Sequence, residues 1–371
     1  MRKVKVGVIG CGNISDIYLR NAENVFEVLD IVGCADLVAN KAKEKAEVYK
    51  IKAYAVDELL ARDDIEIVLN LTIPAAHAEV SMKALEHGKH VYCEKPLATI
   101  RDEGRKIIEK AKEKHLYVGC APDTFLGGGL QTCRKLLDDG WIGTPFGAIA
   151  FMIGAGPAMS HPNPDFYYKK GAGPMLDMGP YYLTALVSLL GPVKMVTGMA
   201  KTPFLEKTIT GPTRYGEKIK VETPTYISGT MEFQNGVCGN LLTSFDLHYA
   251  YWDSKLPFIQ IFGSEGTLSS PNPDSFGGPV MVRRFDGEFT SVPLTHGFIE
   301  NSRGIGLADM AVSIVQGKKH RANGDMAFHV LDIMTGFFNS AESGSHFAIT
   351  STCERPEPLA RVLPKNSTVQ T

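Results

Sequence analysis

Paired cysteines are missing from this chain of 371 residues: Cys11, Cys34, Cys93, Cys120, Cys133, Cys238 and Cys353 are scattered, with no CxxC spacing. An odd, dispersed set argues against a disulfide framework and fits a reducing compartment, so a cytoplasmic location is expected. No charge of one sign prevails either. The 39 basic and 41 acidic residues leave a formal net charge of -2, which removes the electrostatic reason to expect nucleic acid or an anionic membrane as partner. Long apolar runs are absent; the most apolar helical stretch, 181–190, is far too short to span a bilayer. The opening MRKVKVGVIG runs straight into a strand, so no secretory leader is expected. There is no HExxH or paired Cys/His spacing, and His161 lacks a histidine four residues on, so no metal is expected. The GxSxG of a nucleophilic serine is missing too. Gly127-Gly128-Gly129 is not followed by Lys-Ser/Thr, which makes it a flexible entry to a helix rather than a phosphate loop.

What remains is an ordinary globular composition, 44% hydrophobic and 22% charged, in a chain longer than one core usually supports. Two domains are expected, 1–123 and 124–371. The first alternates strands (4–9, 29–35, 65–72, 90–93, 117–120) with helices (13–24, 38–49, 75–86, 101–114), the grammar of a parallel sheet covered on both faces. Beyond residue 123 a helix over 130–139 gives way to long strands at 146–153, 195–201, 226–233, 237–245, 258–262 and 280–285. Asn235-Gly236 and Asp286-Gly287 read as hairpin turns. The expected fold class is therefore α/β: an N-terminal Rossmann domain followed by an α/β domain with a large open, mainly antiparallel sheet. Two helices, at 304–316 and 326–343, are expected near the first domain, and the proline-bearing tail from Glu354 is expected to be an extended arm.

Gly10, Gly12 and Ser15 occupy the positions of a dinucleotide fingerprint directly after a strand and at a helix start, with Asn13 and Ile14 between them. Gly10 permits the tight turn, Gly12 the approach of a pyrophosphate, and Ser15 close packing of helix on strand. The helix N-terminus then offers amides to the phosphates. Asp36, ending the second strand, suits the ribose hydroxyls of NAD and repels the extra phosphate of NADP, and no arginine follows it closely; NAD is the expected cofactor.

The glycine loop, Thr72-x-Pro74-x-x-His77, the run ALEHGKHVYCEKP and GAGPMLDMG together resemble the Gfo/Idh/MocA oxidoreductases, over nearly the whole chain. The resemblance implies that Glu94, Lys95 and Pro96 form the EKP signature, with Lys95 beside the nicotinamide and the reacting hydroxyl. It implies that Thr72, Pro74 and His77 line the inner ribose and nicotinamide side. Asp177 corresponds to the acid of the family's Asp-x-Gly-x-His motif, whose histidine is replaced here by Tyr181. It also implies that the second-domain sheet forms an oligomer interface, so a homodimer or homotetramer is expected.

A secondary alcohol releases hydride only as its O–H proton leaves, so the site needs a base and a cation beside the oxygen. Lys95 suits both roles if burial and the nicotinamide charge depress its pKa. Three arrangements stay open: Tyr181 activated by Lys95, Lys95 itself as base, or the proton passing to Asp177. His296 is a further candidate relay; Asp123, Phe125, His161 and Tyr167 are expected at the substrate rim. A carboxylate at Asp123 suits a substrate rich in hydroxyls. The expected activity is NAD-dependent oxidation of a sugar, glycoside or polyol hydroxyl, with C3 of a pyranoside as one option. The rival readings are a glycosidase-like enzyme using transient oxidation and a non-catalytic sugar or NAD sensor.

Overall fold

The computed structural model describes residues 2–247 and 256–360. Its N-terminal sheet has six parallel strands: β1 (Val4–Ile9), β2 (Leu29–Ala35), β3 (Lys52–Tyr54), β4 (Ile67–Asn70), β5 (His90–Cys93) and β6 (Val118–Cys120), in the order β3-β2-β1-β4-β5-β6. Strands β4 and β5 are nearly continuous runs of buried residues, as expected of a sheet covered on both faces. The chain order reverses between β1 and β4, so the crevice of a doubly wound sheet opens at the carboxyl ends of those strands. Helices α1 (Ser15–Asn24), α2 (Ala39–Tyr49), α3 (Val56–Leu60), α4 (His77–Glu86) and α5 (Arg101–Glu113) form the crossovers. The expected alternation is present. The unexpected pieces, β3 and α3, are only three and five residues long, too short for a periodicity to register.

Helices α6 (Gly128–Asp138), α7 (Pro174–Asp177) and α8 (Gly179–Leu190) lead into a nine-stranded sheet. Its strands are β7 (Pro145–Ile153), β8 (Val193–Lys201), β11 (Tyr226–Phe233), β12 (Cys238–Ser244), β13 (Ile259–Gly263), β14 (Gly266–Ser269), β15 (Val280–Arg284), β16 (Thr290–Val292) and β17 (Phe347–Ala348), in the order β16-β15-β14-β13-β7-β12-β11-β8-β17. Only β7 and β12 pair in parallel. The sheet is thus mixed but mainly antiparallel. The short hairpin β9 (Glu206–Thr208) and β10 (Lys218–Lys220) stands apart from it.

Two last helices, α9 (Ile305–Gln316) and α10 (Gly324–Ser343), close the molecule. Helix α10 packs on β8 and α8 and also on α5 of the first sheet. Arg101 Nε donates to the fully buried Asp332 Oδ1 at 2.5 Å across that boundary. From Glu354 to residue 360 the chain has no regular element, and 361–371 lie outside the described residues. No helix among the described residues is long and apolar enough to cross a membrane.

Gly127, Gly128 and Gly129 have a different purpose from the one expected. A Cβ on them would stand 2.4 Å from the Phe276 carbonyl oxygen, 2.6 Å from that of His296 and 2.7 Å from Pro271 Cγ. Close packing of α6 against two loops, and not flexibility, selects glycine there.

Candidate active site and cofactor crevice

Four strand ends converge at the crevice: β1 delivers the glycine loop, β2 Asp36, β4 Thr72 and β5 Lys95. Gly10 has φ +102°, and a Cβ would strike the Leu71 carbonyl at 2.5 Å, so this turn requires glycine. Gly12 is exposed with nothing within 4 Å of its Cβ position, an open cradle at the N-terminus of α1. Asn13 is exposed beside it, Ile14 half-buried, and Ser15 buried with its Oγ donating to the Gly12 carbonyl at 2.6 Å. Asp36 accepts from Cys11 N and Val38 N, both at 2.8 Å. That ties the acid to the glycine loop as well as to the start of α2. Leu37 and Ile73, 97% and 70% exposed, follow β2 and β4 on either side of the loop. An open glycine cradle, an acid and flanking exposed apolar side chains fit a dinucleotide.

The β4–α4 turn serves a structural end as well. His77 is buried, with Nδ1 2.6 Å from the Pro96 carbonyl and Nε2 3.0 Å from the Thr72 carbonyl. Both partners can only accept, so both ring nitrogens donate and the ring is an imidazolium. Burial favours the neutral ring, but the neighbouring Cys93 and the two carbonyls outweigh it and hold the pKa up at about 9. Thr72 itself donates to Asn70 Oδ1 at 2.7 Å, and Pro74 is exposed. His77 thereby pins Thr72 to the segment after Lys95, whose peptide bond to Pro96 is cis. Taken alone, the raised His77 pKa would give stability that is full below the ordinary histidine value and lost as pH rises through about 9; but burial raises the Cys93 thiol while Cys120 and His77 draw it down to about 6, which gives the opposite slope over the same interval. The unfolding free energy from urea titration is therefore expected to change little on account of this pair between the two values. His77→Gln should lower stability throughout that interval by about 1–3 kcal/mol; a variant as stable as wild type would contradict the assignment.

Lys95 Nζ donates to the Asp177 carbonyl at 2.6 Å and to Asp177 Oδ1 at 2.8 Å. Glu94 anchors the strand end: its oxygens accept from Tyr18 Oη on α1 at 2.8 Å and from Lys95 N at 2.9 Å. Burial by itself does not bring about the expected depression of the Lys95 pKa. Burial, the largest influence, lowers it, but Asp177, Tyr181 and Glu94 together raise it above the ordinary lysine value. Lys95 is an ammonium with two N–H groups on Asp177 and one left over. The Tyr181 ring centroid lies 5.2 Å from Lys95 Nζ. Burial pushes the phenol up to about 12 against the opposing pull of Lys95 and Arg303. Tyr167 is half-buried and close enough for the charges of Asp177 and Lys95 to act on it. His161 stacks edge-on to it at 5.3 Å.

Three expected site residues are placed elsewhere. Asp123 is buried, and its Oδ2 accepts from Gly304 N at 2.9 Å and Gly306 N at 3.0 Å; it caps the start of α9 instead of facing substrate. Phe125 is 2% exposed, a core residue because the 3₁₀ turn Thr124–Leu126 turns it inward. His296 is also buried, its Nδ1 paired with Thr295 Oγ1 at 2.9 Å and its Nε2 with the Leu359 carbonyl at 3.2 Å. Both nitrogens are occupied and burial lowers its pKa, so its contacts fix the tail.

Sequence reading missed two groups. Arg303, just before α9, brings Nη2 to 3.5 Å from Tyr181 Oη and 3.0 Å from Asp274 Oδ1. Asp274 in turn feels the charges of Lys95 and Asp177. The only signal was a polar loop, NSRG, ahead of an apolar helix. A separate cavity of about 520 Å³ beside α5, lined by Lys112, His320, Asp325 and Cys353 among others, contains none of these site residues.

Residues 4–121 match the profile of the oxidoreductase family with NAD-binding Rossmann fold, and 130–269 that of the GFO/IDH/MocA C-terminal domain. The chain is 30% identical to inositol 2-dehydrogenase of Salmonella typhimurium over 148 residues, 38% of this chain and 44% of that protein. It thus spans less than half the length of that relative. D-xylose dehydrogenase of Paenarthrobacter nicotinovorans is 23% identical over 308 residues, 76% of this chain and 77% of its own. Levoglucosan dehydrogenase, solved with NADH and levoglucosan, superposes with a TM-score of 0.80 at 18% identity, covering 94% of this chain and all (100%) of that one; at that identity the likeness concerns the fold. The matches cover the first sheet, the strands of the second from β7 to β14, and every residue from the glycine loop to Tyr181 except the short stretch between the two profiles, and on that ground the chain belongs to the Gfo/Idh/MocA family of NAD-binding oxidoreductases.

Proposed function

We propose that this chain is an NAD-dependent dehydrogenase of a ring hydroxyl on a sugar, glycoside or polyol. The observation that carries it is the half-buried Lys95–Asp177 pair at the carboxyl end of β5, next to an open dinucleotide crevice. Names of relatives that act on inositol and xylose support the substrate class. Gly10, Gly12, Asn13, Ile14, Asp36 and Thr72 would hold NAD, whose nicotinamide, when bound, accepts or returns the hydride. The remaining chemistry belongs to the chain. Lys95 points its third N–H at the substrate oxygen and steadies the developing alkoxide. As an ammonium it takes the O–H proton only by passing one of its own to Asp177 Oδ1, 2.8 Å away. Of the three arrangements open from sequence, this relay fits the raised lysine pKa best. Tyr181, with its high pKa, donates a hydrogen bond and does not accept the proton.

The test is a screen of cyclic polyols, free sugars and methyl glycosides with NAD and with NADP, read as absorbance at 340 nm. Oxidation at C3 of a pyranoside is the first position to examine in the products. NADH should accumulate with a neutral ring substrate and with NAD in preference to NADP. No accumulation across the panel, with NADH binding intact, would refute the dehydrogenase. The exposed Phe146 and Met199, on β7 and β8, accord with a second-domain sheet that self-associates.

A further inference from the structure

Arg303 is held on several sides. Besides Asp274 and Tyr181, its Nη1 donates to Asn301 Oδ1 at 3.0 Å, and its guanidinium stands 5.9 Å over the Phe276 ring. The loop bearing it is tied down in turn. Asn21 Nδ2 on α1 donates to the carbonyls of Asn301 and Arg303 at 2.9 and 2.8 Å, and Asp123 caps the two glycines that follow. Yet the side chains of Arg303 and Asp274 keep 17% and 35% of their exposure, as Lys95 and Asp177 keep 15% and 22%. All four carry charge, neighbour one another through Tyr181 and the reach of their charges, and open to solvent. They run as one series, Asp177–Lys95–Tyr181–Arg303–Asp274, with successive separations of 2.8, 5.2, 3.5 and 3.0 Å, the second measured to the Tyr181 ring centroid.

The chemistry of such a pair is selective. The guanidinium offers donors in a rigid plane and the carboxylate offers acceptors, which together match the alternating needs of adjacent hydroxyls. Their charges cancel. The arginine is already neutralised, and the exposed carboxylate repels a substrate that bears its own negative charge.

We propose that Asp274 and Arg303 are the specificity-determining pair of this site, binding adjacent hydroxyls of a neutral sugar or polyol away from the reacting carbon and rejecting the carboxylated counterpart. The proposal rests on the dehydrogenase reading above. It reassigns to Asp274 the preference for hydroxyl-rich substrates that the sequence had attached to Asp123.

The test uses the full chain, with NADH fluorescence as the check on folding and on the cofactor crevice. Wild type, Asp274→Ala, Asp274→Asn and Arg303→Lys are compared on myo-inositol, methyl glucoside and glucuronate. Turnover with NAD is one readout; the shift of melting temperature produced by each sugar on the NADH complex, where no oxidation runs, is the second. Wild type should respond to a neutral compound and not to glucuronate. Both Asp274 variants should lose about 10–100-fold in kcat/KM on the neutral substrate, mainly through KM. They should also gain at least about tenfold on glucuronate, because an unpaired guanidinium then faces the substrate. Arg303→Lys, which keeps the charge and loses the planar fork, should weaken neutral binding without the gain on glucuronate. Wild type favouring glucuronate, or Asp274 variants with an unaltered neutral-to-acidic ratio in both readouts, would overturn the pair while leaving the dehydrogenase standing. Oxidation of neither class, with NADH bound normally, would sink the dehydrogenase and the pair together.

Discussion

Lys95→Met is expected to reduce kcat by about 10³-fold or more while leaving NADH affinity within a few-fold of wild type. The variant keeps a linear apolar stem of similar length, so the strand end and the cis bond to Pro96 have no steric reason to change. What disappears is the donor aimed at the reacting oxygen and the first member of the relay to Asp177. Asp177 also loses its ion pair. Its side chain is 22% exposed, so water can reach it and folding should survive. Steady-state rates alongside fluorescence titration with NADH separate the two effects. A variant with wild-type turnover would remove Lys95 from the chemistry, and one that fails to bind NADH would make it a cofactor ligand instead.

Asp177→Asn should cost about 10²–10³-fold in kcat, again with NADH binding preserved. The amide still accepts from Lys95 through its oxygen, so geometry is largely kept, but it takes no proton. The pH profile identifies the cause. In the wild type Asp177, together with Tyr181 and Glu94, outweighs burial and holds the Lys95 pKa above its ordinary value. Without that charge burial prevails and the lysine pKa falls. The amine can then act as the base itself once deprotonated, so the variant's rate should climb with pH. A loss of equal size at every pH would mean that Asp177 only positions Lys95.

The parts of this molecule that were legible in the sequence are those whose chemistry is local. Gly10 is dictated by a positive φ against Leu71, and Asp36 sits one residue past a strand, so neighbours along the chain suffice to place both. Lys95 belongs with them, fixed by the strand before it and the proline after it. Longer elements followed from their periodicity, whereas β3 and α3 fell below the length at which one shows. Loop residues were harder because sequence gives no direction to a side chain. Asp123, Phe125 and His296 all follow or precede elements near the site, yet each turns inward to cap a helix, fill the core or hold the tail. Arg303 and Asp274 stood outside any motif. They meet Tyr181 only because Asn21 and Asp123, from the N-terminal part of the chain, fasten the loop ahead of α9. Such a site is assembled by tertiary contacts among residues more than a hundred positions apart, and no window along the chain contains it. The replacement of histidine by Tyr181 was visible at once; its meaning required the burial that raises the phenol pKa.

A crystal structure of the chain with NAD and a neutral ring polyol tests the central claim most directly. Lys95 Nζ should lie within about 3 Å of the substrate hydroxyl, still bonded to Asp177, with the carbon bearing that hydroxyl facing the nicotinamide. A substrate bound with its reacting carbon away from Lys95, or an amine swung away from both ring and hydroxyl, would contradict this arrangement.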